Sequence, residues 1–454
     1  MESRELRCAE VQTGWLGEDR VWMFNPTGDS GVVVLNRAAF RLWQRFESVV
    51  DSDALRLDTS EALLVSRMRG NGLLVADGPT RQLQRAPARV LSAWFHVTND
   101  CNMRCSYCYV SKSPESMELS TGRAAVDAVY RSAMAGHFNG LKLKFAGGEA
   151  TLNPEVVLEL DTYARNRAAD LGLDYESVLL TNGVRITEHL MAECLRRPMR
   201  VMVSMDGLGS SHDGQRRLVG GQGSATLVRR TIERLIAHGI SPFVSVTVTS
   251  RSAASLPAIA SFLLERSLSF NLNFVREHAT FREPDGLRLH NQALTDALYA
   301  TFAVIEASLP DQELLGMLVD RSNFSQPHLR TCGVGESYMV VNQHGRVSKC
   351  HMELDRYSTD VTEADPLERL RADSSGLQNL PVEEKEECNR CQWRYWCAGG
   401  CPKATYEATG RYDVKSPLCD VYRAVYPGLL RLEALRLLKL HVSSQPPALD
   451  DHQH

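Results

Sequence analysis

No stretch of the 454-residue chain approaches the roughly 18 consecutive apolar residues that a membrane-spanning helix needs. The opening Met1-Glu2-Ser3-Arg4-Glu5 has no apolar core of the kind a secretory signal carries, so the cytoplasm is the expected compartment. A block of like charge is missing too. Lysine and arginine number 51 against 55 acidic residues, a formal net charge of -4, which removes the electrostatic case for a nucleic acid or an anionic membrane as partner. What is present in quantity is cysteine: twelve in a long chain without a signal segment, which reads as metal ligation rather than disulfide bonding. The length exceeds what one hydrophobic core supports, so two or three domains are expected.

The most informative stretch is Cys101-Asn102-Met103-Arg104-Cys105-Ser106-Tyr107-Cys108, a CxxxCxxC run after the apolar segment Val90 to Val97. Three thiolates within eight residues can close on one soft centre: zinc, copper(I) or an iron-sulfur cluster. A four-iron cubane usually takes four cysteines. Three leave one iron free for a substrate or cofactor, as a catalytic metal requires. Taken alone, the run is also compatible with a structural zinc knot or three buried thiols.

Around this motif the pattern alternates. Strands are expected at Val90–Val97, Leu141–Phe145, Ser177–Leu180, Arg200–Ser204, Pro242–Val248 and Phe270–Val275, with helices near Ser120–Gly136, Pro154–Leu171, Thr187–Arg196, Ala225–Gly239 and Ala254–Arg266. Such alternation implies a parallel sheet with helices outside and a site at the carboxyl ends of the strands. The cysteine run follows the first strand. The second ends in Gly147-Gly148-Glu149, where missing Cβ atoms let backbone approach a ligand, and Pro154 suits the first turn of the next helix. The fourth ends in Val203-Ser204-Met205-Asp206-Gly207, followed by His212 and Arg216. Asp206 and His212 read as loop-capping groups, Thr181-Asn182-Gly183 as a turn, and Cys8 and Cys194 as isolated thiols.

With an aromatic residue before its last cysteine, the run resembles that of the S-adenosylmethionine (SAM) radical enzymes. The resemblance implies a 4Fe-4S cluster on Cys101, Cys105 and Cys108 whose free iron chelates SAM, and reductive cleavage of SAM to a 5'-deoxyadenosyl radical. It implies SAM contacts at Gly147, Gly148 and Glu149 for the amino group, and at Ser204 and Arg216 for ribose and carboxylate. The fold implied is a partial (β/α)6 barrel over residues 90–280, followed by a bridging region, 281–331, with helical patches at Leu294–Ser308 and Gln312–Leu318.

Further on come Cys332, Gly345 and Cys350, then Cys388, Cys391, Cys397, Cys401 and Cys419. Twelve residues separate Cys332 from the glycine and four follow it before Cys350; the CxxC is followed by five residues, a cysteine, three residues and another cysteine. Zinc would also suit the CxxC block. The order matches the SPASM extension of radical SAM enzymes, placed here at 332–425 and followed by a helix and tail at 426–454. By that resemblance Cys388, Cys391, Cys397 and Cys419 hold one auxiliary 4Fe-4S cluster, and Cys332, Cys350 and Cys401 hold three corners of another. Residues 195–331 contain no cysteine to fill the fourth corner.

Residues 1–80 read as a small domain: strands at Gly31–Leu35 and Gly72–Val75, helices at Ala38–Phe46 and Ser60–Met68, a winged-helix-like order. The stretch VVVLNRAAFRLW is similar to peptide-recognition domains that take up a leader by strand addition. Arg81–Arg89 reads as a linker. The implied activity is maturation of a ribosomally made peptide by thioether or carbon-carbon crosslinking. Its partners would be a precursor with a leader and an external one-electron reductant of flavodoxin or ferredoxin type. Formylglycine formation in a sulfatase, crosslinking of an enzyme subunit, and a non-catalytic iron-sulfur scaffold are the alternatives. In sulfatase maturation an aspartate follows the cysteine corresponding to Cys350; here His351 stands there. No catalytic base is assigned.

Overall fold

The computed structural model describes residues 5–51, 55–76, 88–277 and 286–444. At its centre is a parallel sheet of six strands, β7 (Val90–His96), β9 (Gly140–Ala146), β10 (Asp174–Thr181), β11 (Arg200–Ser204), β13 (Phe243–Val248) and β14 (Phe270–Phe274). They lie side by side in chain order. Alternate residues of each strand, such as Leu91, Ala93 and Phe95 or Leu141, Leu143 and Phe145, are fully buried beneath the helices, because side chains two apart share one face.

The intervening helices are α3 (Leu119–Ala135), α4 (Pro154–Leu171), α5 (Glu188–Arg196), α7 (Ala225–Ala237) and α8 (Leu256–Leu264). Proline opens α4 and Gly172, at φ 66°, closes it, the usual asymmetry of helix ends. Two short strands, β8 (Met103–Cys105) and β12 (Arg216–Leu218), pair with each other across the carboxyl ends of the barrel strands, and the one-turn helix α6 (Ser210–Asp213) precedes β12.

The sheet runs beyond six strands. β15 (Tyr338–Val341) adds in parallel to β7, and β16 (Arg346–Ser348) and β17 (Tyr357–Asp360) follow antiparallel. The segment between Cys332 and Cys388 therefore continues the barrel's own sheet. Helix α9 (Asn291–Ala307) packs against α8 and against α13 (Cys419–Ser444), which starts at its cysteine rather than at residue 426; α10 (Pro366–Ala372), α11 (Arg394–Cys397) and α12 (Pro402–Thr409) are short. Gln312–Leu318 forms no helix. It lies along β14, with the Leu272 N–H donating to the Met317 carbonyl, and its helix-like leucine spacing reflects burial of Leu314, Leu315 and Leu318 in the core.

The amino-terminal domain has more strands than expected. β1 (Glu5–Cys8), β5 (Val50–Asp51) and β6 (Leu74–Ala76) form one sheet; β2 (Gln12–Leu16), β3 (Arg20–Phe24) and β4 (Val33–Asn36) form another, with helices α1 (Arg37–Gln44) and α2 (Thr59–Gly70). Asp58 and Glu61 close a capping box at the start of α2, which satisfies otherwise orphaned backbone donors. The central strand of the β2–β4 sheet, β3, is buried on both faces from Val21 to Phe24. Val21, Met23 and Leu35 join the domain's own core, while Trp22 and Phe24 point into the main body. Phe24 meets Trp396 at 4.8 Å, and the Trp396 indole donates to the Pro26 carbonyl at 2.7 Å. Arg81–Arg89, read as a linker, lies outside the described residues as far as residue 87.

Candidate active site and cysteine centres

The loop after β7 carries Cys101, Cys105 and Cys108, and several backbone contacts fix it. The Asp100 carboxylate accepts from the Cys101 N–H at 2.7 Å, the Cys101 sulfur accepts from the Met103 N–H at 3.4 Å, and Cys105 lies in β8 opposite Arg216. Burial pushes the Cys105 thiol up to about 12, reinforced by Cys108, Asp206 and Cys101 against the pull of Arg216. The three thiols are thus within electrostatic reach of one another. Among the described residues no three His, Cys, Asp or Glu side chains converge on a single metal ion.

Gly147 and Gly148 are required by this loop. A Cβ on Gly147 would stand 2.4 Å from the Thr98 oxygen, and one on Gly148 2.2 Å from the Asp100 oxygen. Close approach also sets two backbone bonds, Gly148 N–H to Thr98 O at 2.7 Å and Glu149 N–H to Asp100 O at 2.8 Å. The Glu149 carboxylate, 2% exposed, accepts from the Thr151 N–H and hydroxyl, the Thr181 hydroxyl and the Asn182 N–H at 2.6–3.0 Å. It thereby ties the ends of β9 and β10 together. Asn182, read as a turn residue, also reaches the cysteine loop, with its amide 2.7 Å from the Asn102 oxygen and 3.8 Å from the Cys101 sulfur.

Ser204 stands at the carboxyl end of β11 opposite Ser245 of β13. Arg216 is buried in a network missed in the sequence: Tyr107, between two of the cysteines, is 2.5 Å from both the Asp206 carboxylate and Arg216. Asp206 also accepts from Gln215 and from the Thr247 N–H, both at 2.9 Å. Arg216 Nε is buried without a hydrogen-bond partner. His212 plays the expected local part, accepting from the Asp206 N–H and meeting the Ser224 hydroxyl. Cys8 donates to the Trp43 carbonyl and Cys194 lies within the core; neither joins a cysteine set.

The remaining seven cysteines separate into two groups. Cys388, Cys391, Cys397 and Cys419 line one cavity of about 70 Å3, roofed by Trp393 and Tyr426. Burial pushes Cys397 up to about 12 and Cys388 to about 11. Cys332, Cys350 and Cys401 act electrostatically on one another elsewhere. Arg276, at the end of β14, donates to the Cys401 sulfur at 3.1 Å and to Asp320 at 2.5 Å. Although burial opposes it, Arg276 and Arg321 hold the Cys401 thiol below its ordinary value. The donor sets, one of four thiols and one of three, fit iron-sulfur ligation. His328 donates its N–H to Tyr395 and belongs to neither set.

Between the cysteine loop and the three-cysteine group lies an aromatic cluster. His351 stacks on Trp94 at 4.7 Å, meets Tyr109 at 5.7 Å, and its Nδ1 is 3.1 Å from the Tyr338 hydroxyl. Burial, with Arg321, Arg276 and Lys144, depresses His351 to about 3, so it is neutral. Lys144, over the Tyr338 ring at 5.9 Å, is lowered to about 8 by burial and by Lys142, Arg321 and Arg200. A cleft of about 480 Å3, bordered by Asn99, Tyr109, Glu115, His344, Met352 and Lys403, opens beside this cluster.

A family model described as the radical SAM superfamily matches residues 95–251. The antilisterial bacteriocin subtilosin biosynthesis protein AlbA of Bacillus subtilis is 23% identical, covering 68% of this chain and 67% of AlbA. A cysteine-type anaerobic sulfatase-maturating enzyme of Clostridium perfringens is 22% identical, covering 67% of this chain and 86% of that enzyme. A solved structure of native anSMEcpe with bound AdoMet and peptide shares the fold, with TM-score 0.62 and 20% identity over 78% of this chain and 100% of the other.

Proposed function

We propose that this chain, whose residues 95–251 match a family that binds SAM and a 4Fe-4S cluster, oxidatively modifies a ribosomally made peptide by thioether or carbon-carbon crosslinking. SAM, bound at a reduced cluster, would supply a 5'-deoxyadenosyl radical able to take hydrogen from unactivated carbon. Cys101, Cys105 and Cys108 would hold that cluster. The backbone at Gly147 and Gly148, together with Ser204, would orient SAM, and the unpaired Nε of Arg216 suits a carboxylate. Cys388, Cys391, Cys397 and Cys419 would hold one auxiliary cluster, and Cys332, Cys350 and Cys401 three corners of the other.

The observation that carries the reading is the aromatic cluster of Trp94, Tyr109, Tyr338 and His351. It joins the residue after Cys108 to the residue after Cys350, and the adjoining cleft has room for a peptide segment. Tyr109 belongs to both the cluster and the cleft wall, and the polar lining around it, with Glu115, Glu353, Asp355 and Lys403, suits the backbone and polar groups of a peptide. Among the described residues strand β4 is paired on one side only in its sheet, and its other side would offer an edge to a leader by strand addition. An external flavodoxin- or ferredoxin-type protein would supply the electron.

The test is coexpression with the short open reading frames neighbouring the gene and mass spectrometry of their products. A loss of two hydrogens per crosslink is expected, one as the atom taken by the adenosyl radical and the other as a proton whose electron would pass to an auxiliary cluster. Sulfatase maturation remains the second reading, favoured by the likeness to the Clostridium enzyme. It is disfavoured by His351, a neutral ring where that reaction uses a carboxylate. Formylglycine in a sulfatase peptide, with the neighbouring peptides unchanged, would select it instead.

A further inference from the structure

Lys385 follows the short turn Val382–Glu384 and is 1% exposed, among the largest fully buried side chains of the protein. A buried ammonium is costly unless anions or several acceptors meet it. The hydrogen bond found for Nζ goes to one neutral acceptor, the Ala398 carbonyl, at 2.9 Å. Burial lowers the amine below its ordinary value, and the groups that pull it back up are all thiols: Cys388 and Cys397 of the four-cysteine cavity, Cys332 and Cys401 of the three-cysteine group. Lys385 thus lies between the two groups and feels both.

The chain is folded around this side chain. Ala398, Gly399 and Gly400 take three successive left-handed conformations, with φ of 45°, 78° and 73°, on the short path from Cys397 in one group to Cys401 in the other. Ala398 has a Cβ, so its conformation is strained. A Cβ on Gly399 would stand 2.6 Å from Lys385 Cδ and 2.9 Å from Nζ. The Thr331 hydroxyl, beside Cys332, donates to the Gly400 carbonyl at 2.7 Å, fastening the three-cysteine group to the same turn.

We propose that Lys385 is a shared counter-charge for two iron-sulfur sites and sets how readily each accepts an electron. This rests on reading the two cysteine groups as cluster ligands. Reduction adds one electron to an iron-sulfur core and breaks no bond; a fixed positive charge nearby favours the reduced state. At an effective dielectric of about 20, a unit charge at a separation on the order of 10 Å shifts such an equilibrium on the order of tenfold. Because one lysine serves both groups, both equilibria move together.

The experiment is a redox titration, followed by electron paramagnetic resonance, of the anaerobically reconstituted full-length protein, with iron counted first. Lys385→Met should lower both auxiliary midpoints by about 59 mV, a tenfold change for one electron. The Cys101–Cys108 site should stay put, and Lys385→Arg should restore the wild-type values. Should the methionine variant lose iron, Lys385→Gln set against Lys385→Arg makes the same comparison. Full iron with neither midpoint moved, or only one, overturns the proposal. Wild-type protein with iron for a single cluster overturns instead the reading of the cysteine groups.

Discussion

Gly148→Ala tests the geometry of the cysteine loop. The added Cβ would lie 2.2 Å from the Asp100 oxygen and 2.6 Å from the Asn99 oxygen, where ordinary contact begins at 3.4 Å. Both neighbours are backbone, so no side chain can swing aside; the loop must retreat by about 1.2 Å. That movement stretches the Glu149 N–H to Asp100 O bond and carries with it the Asp100 carboxylate that holds the Cys101 N–H. Overpacking costs about 1–3 kcal/mol and each weakened hydrogen bond about 1 kcal/mol, a local loss that leaves the barrel folded. The chemistry should suffer more, since a misplacement of about 1 Å can cost on the order of 100-fold in rate. In reduced protein given SAM, chromatography of 5'-deoxyadenosine should show that drop, with iron at the auxiliary sites unchanged. A folded variant that cleaves SAM at the wild-type rate would refute the reasoning.

Tyr107→Phe removes the hydroxyl that bridges Asp206 and Arg216; hydrogen bonds to charged groups are worth about 1.5–3 kcal/mol. SAM should bind at least about tenfold more weakly, and an unchanged Kd by calorimetry would show that Arg216 needs no such support. Deleting residues 1–76 should uncover Phe324, Trp393 and Trp396, which pack on Phe24. Insolubility or loss of iron from the four-cysteine cavity is expected, and a soluble truncation with full iron content would contradict the packing argument. Iron uptake should rise with pH. Burial pushes the Cys105, Cys350 and Cys397 thiols up to about 12, so they are protonated at neutral pH and must release protons on ligation. Uptake that stays flat between about pH 7 and 9 would contradict this.

The barrel could be read in the sequence because its signals are local. Each strand is a short apolar run, each helix a periodic segment, and the cysteine loop and Gly147-Gly148-Glu149 follow the first two strands directly. The seven outer cysteines were conspicuous by their spacing within a hundred residues, but their division into a set of four and a set of three came from the resemblance to the SPASM extension and not from the spacing itself. Of the amino-terminal strands, those near Gly31–Leu35 and Gly72–Val75 were readable, but Glu5–Cys8 and Gln12–Leu16 were not: both are short and mixed in polarity, the second is interrupted by Gly14, and they pair only because the domain's core and the main body enclose them. Gln312–Leu318 misled for the opposite reason, its leucines following tertiary burial rather than a helix. The side chains that connect the centres were hidden by distance along the chain. Arg276 and Cys401 are 125 residues apart, and Trp94 meets His351 only because β15 joins the sheet beside β7.

The central claim is that Cys101, Cys105 and Cys108 bind a cluster that cleaves SAM, and the most direct test is anaerobic turnover of SAM under a chemical reductant. Wild-type protein should form 5'-deoxyadenosine and methionine in equal amounts. The triple variant Cys101→Ala, Cys105→Ala, Cys108→Ala should form neither, while keeping the absorbance of the auxiliary sites. Continued 5'-deoxyadenosine formation by that variant would contradict the claim.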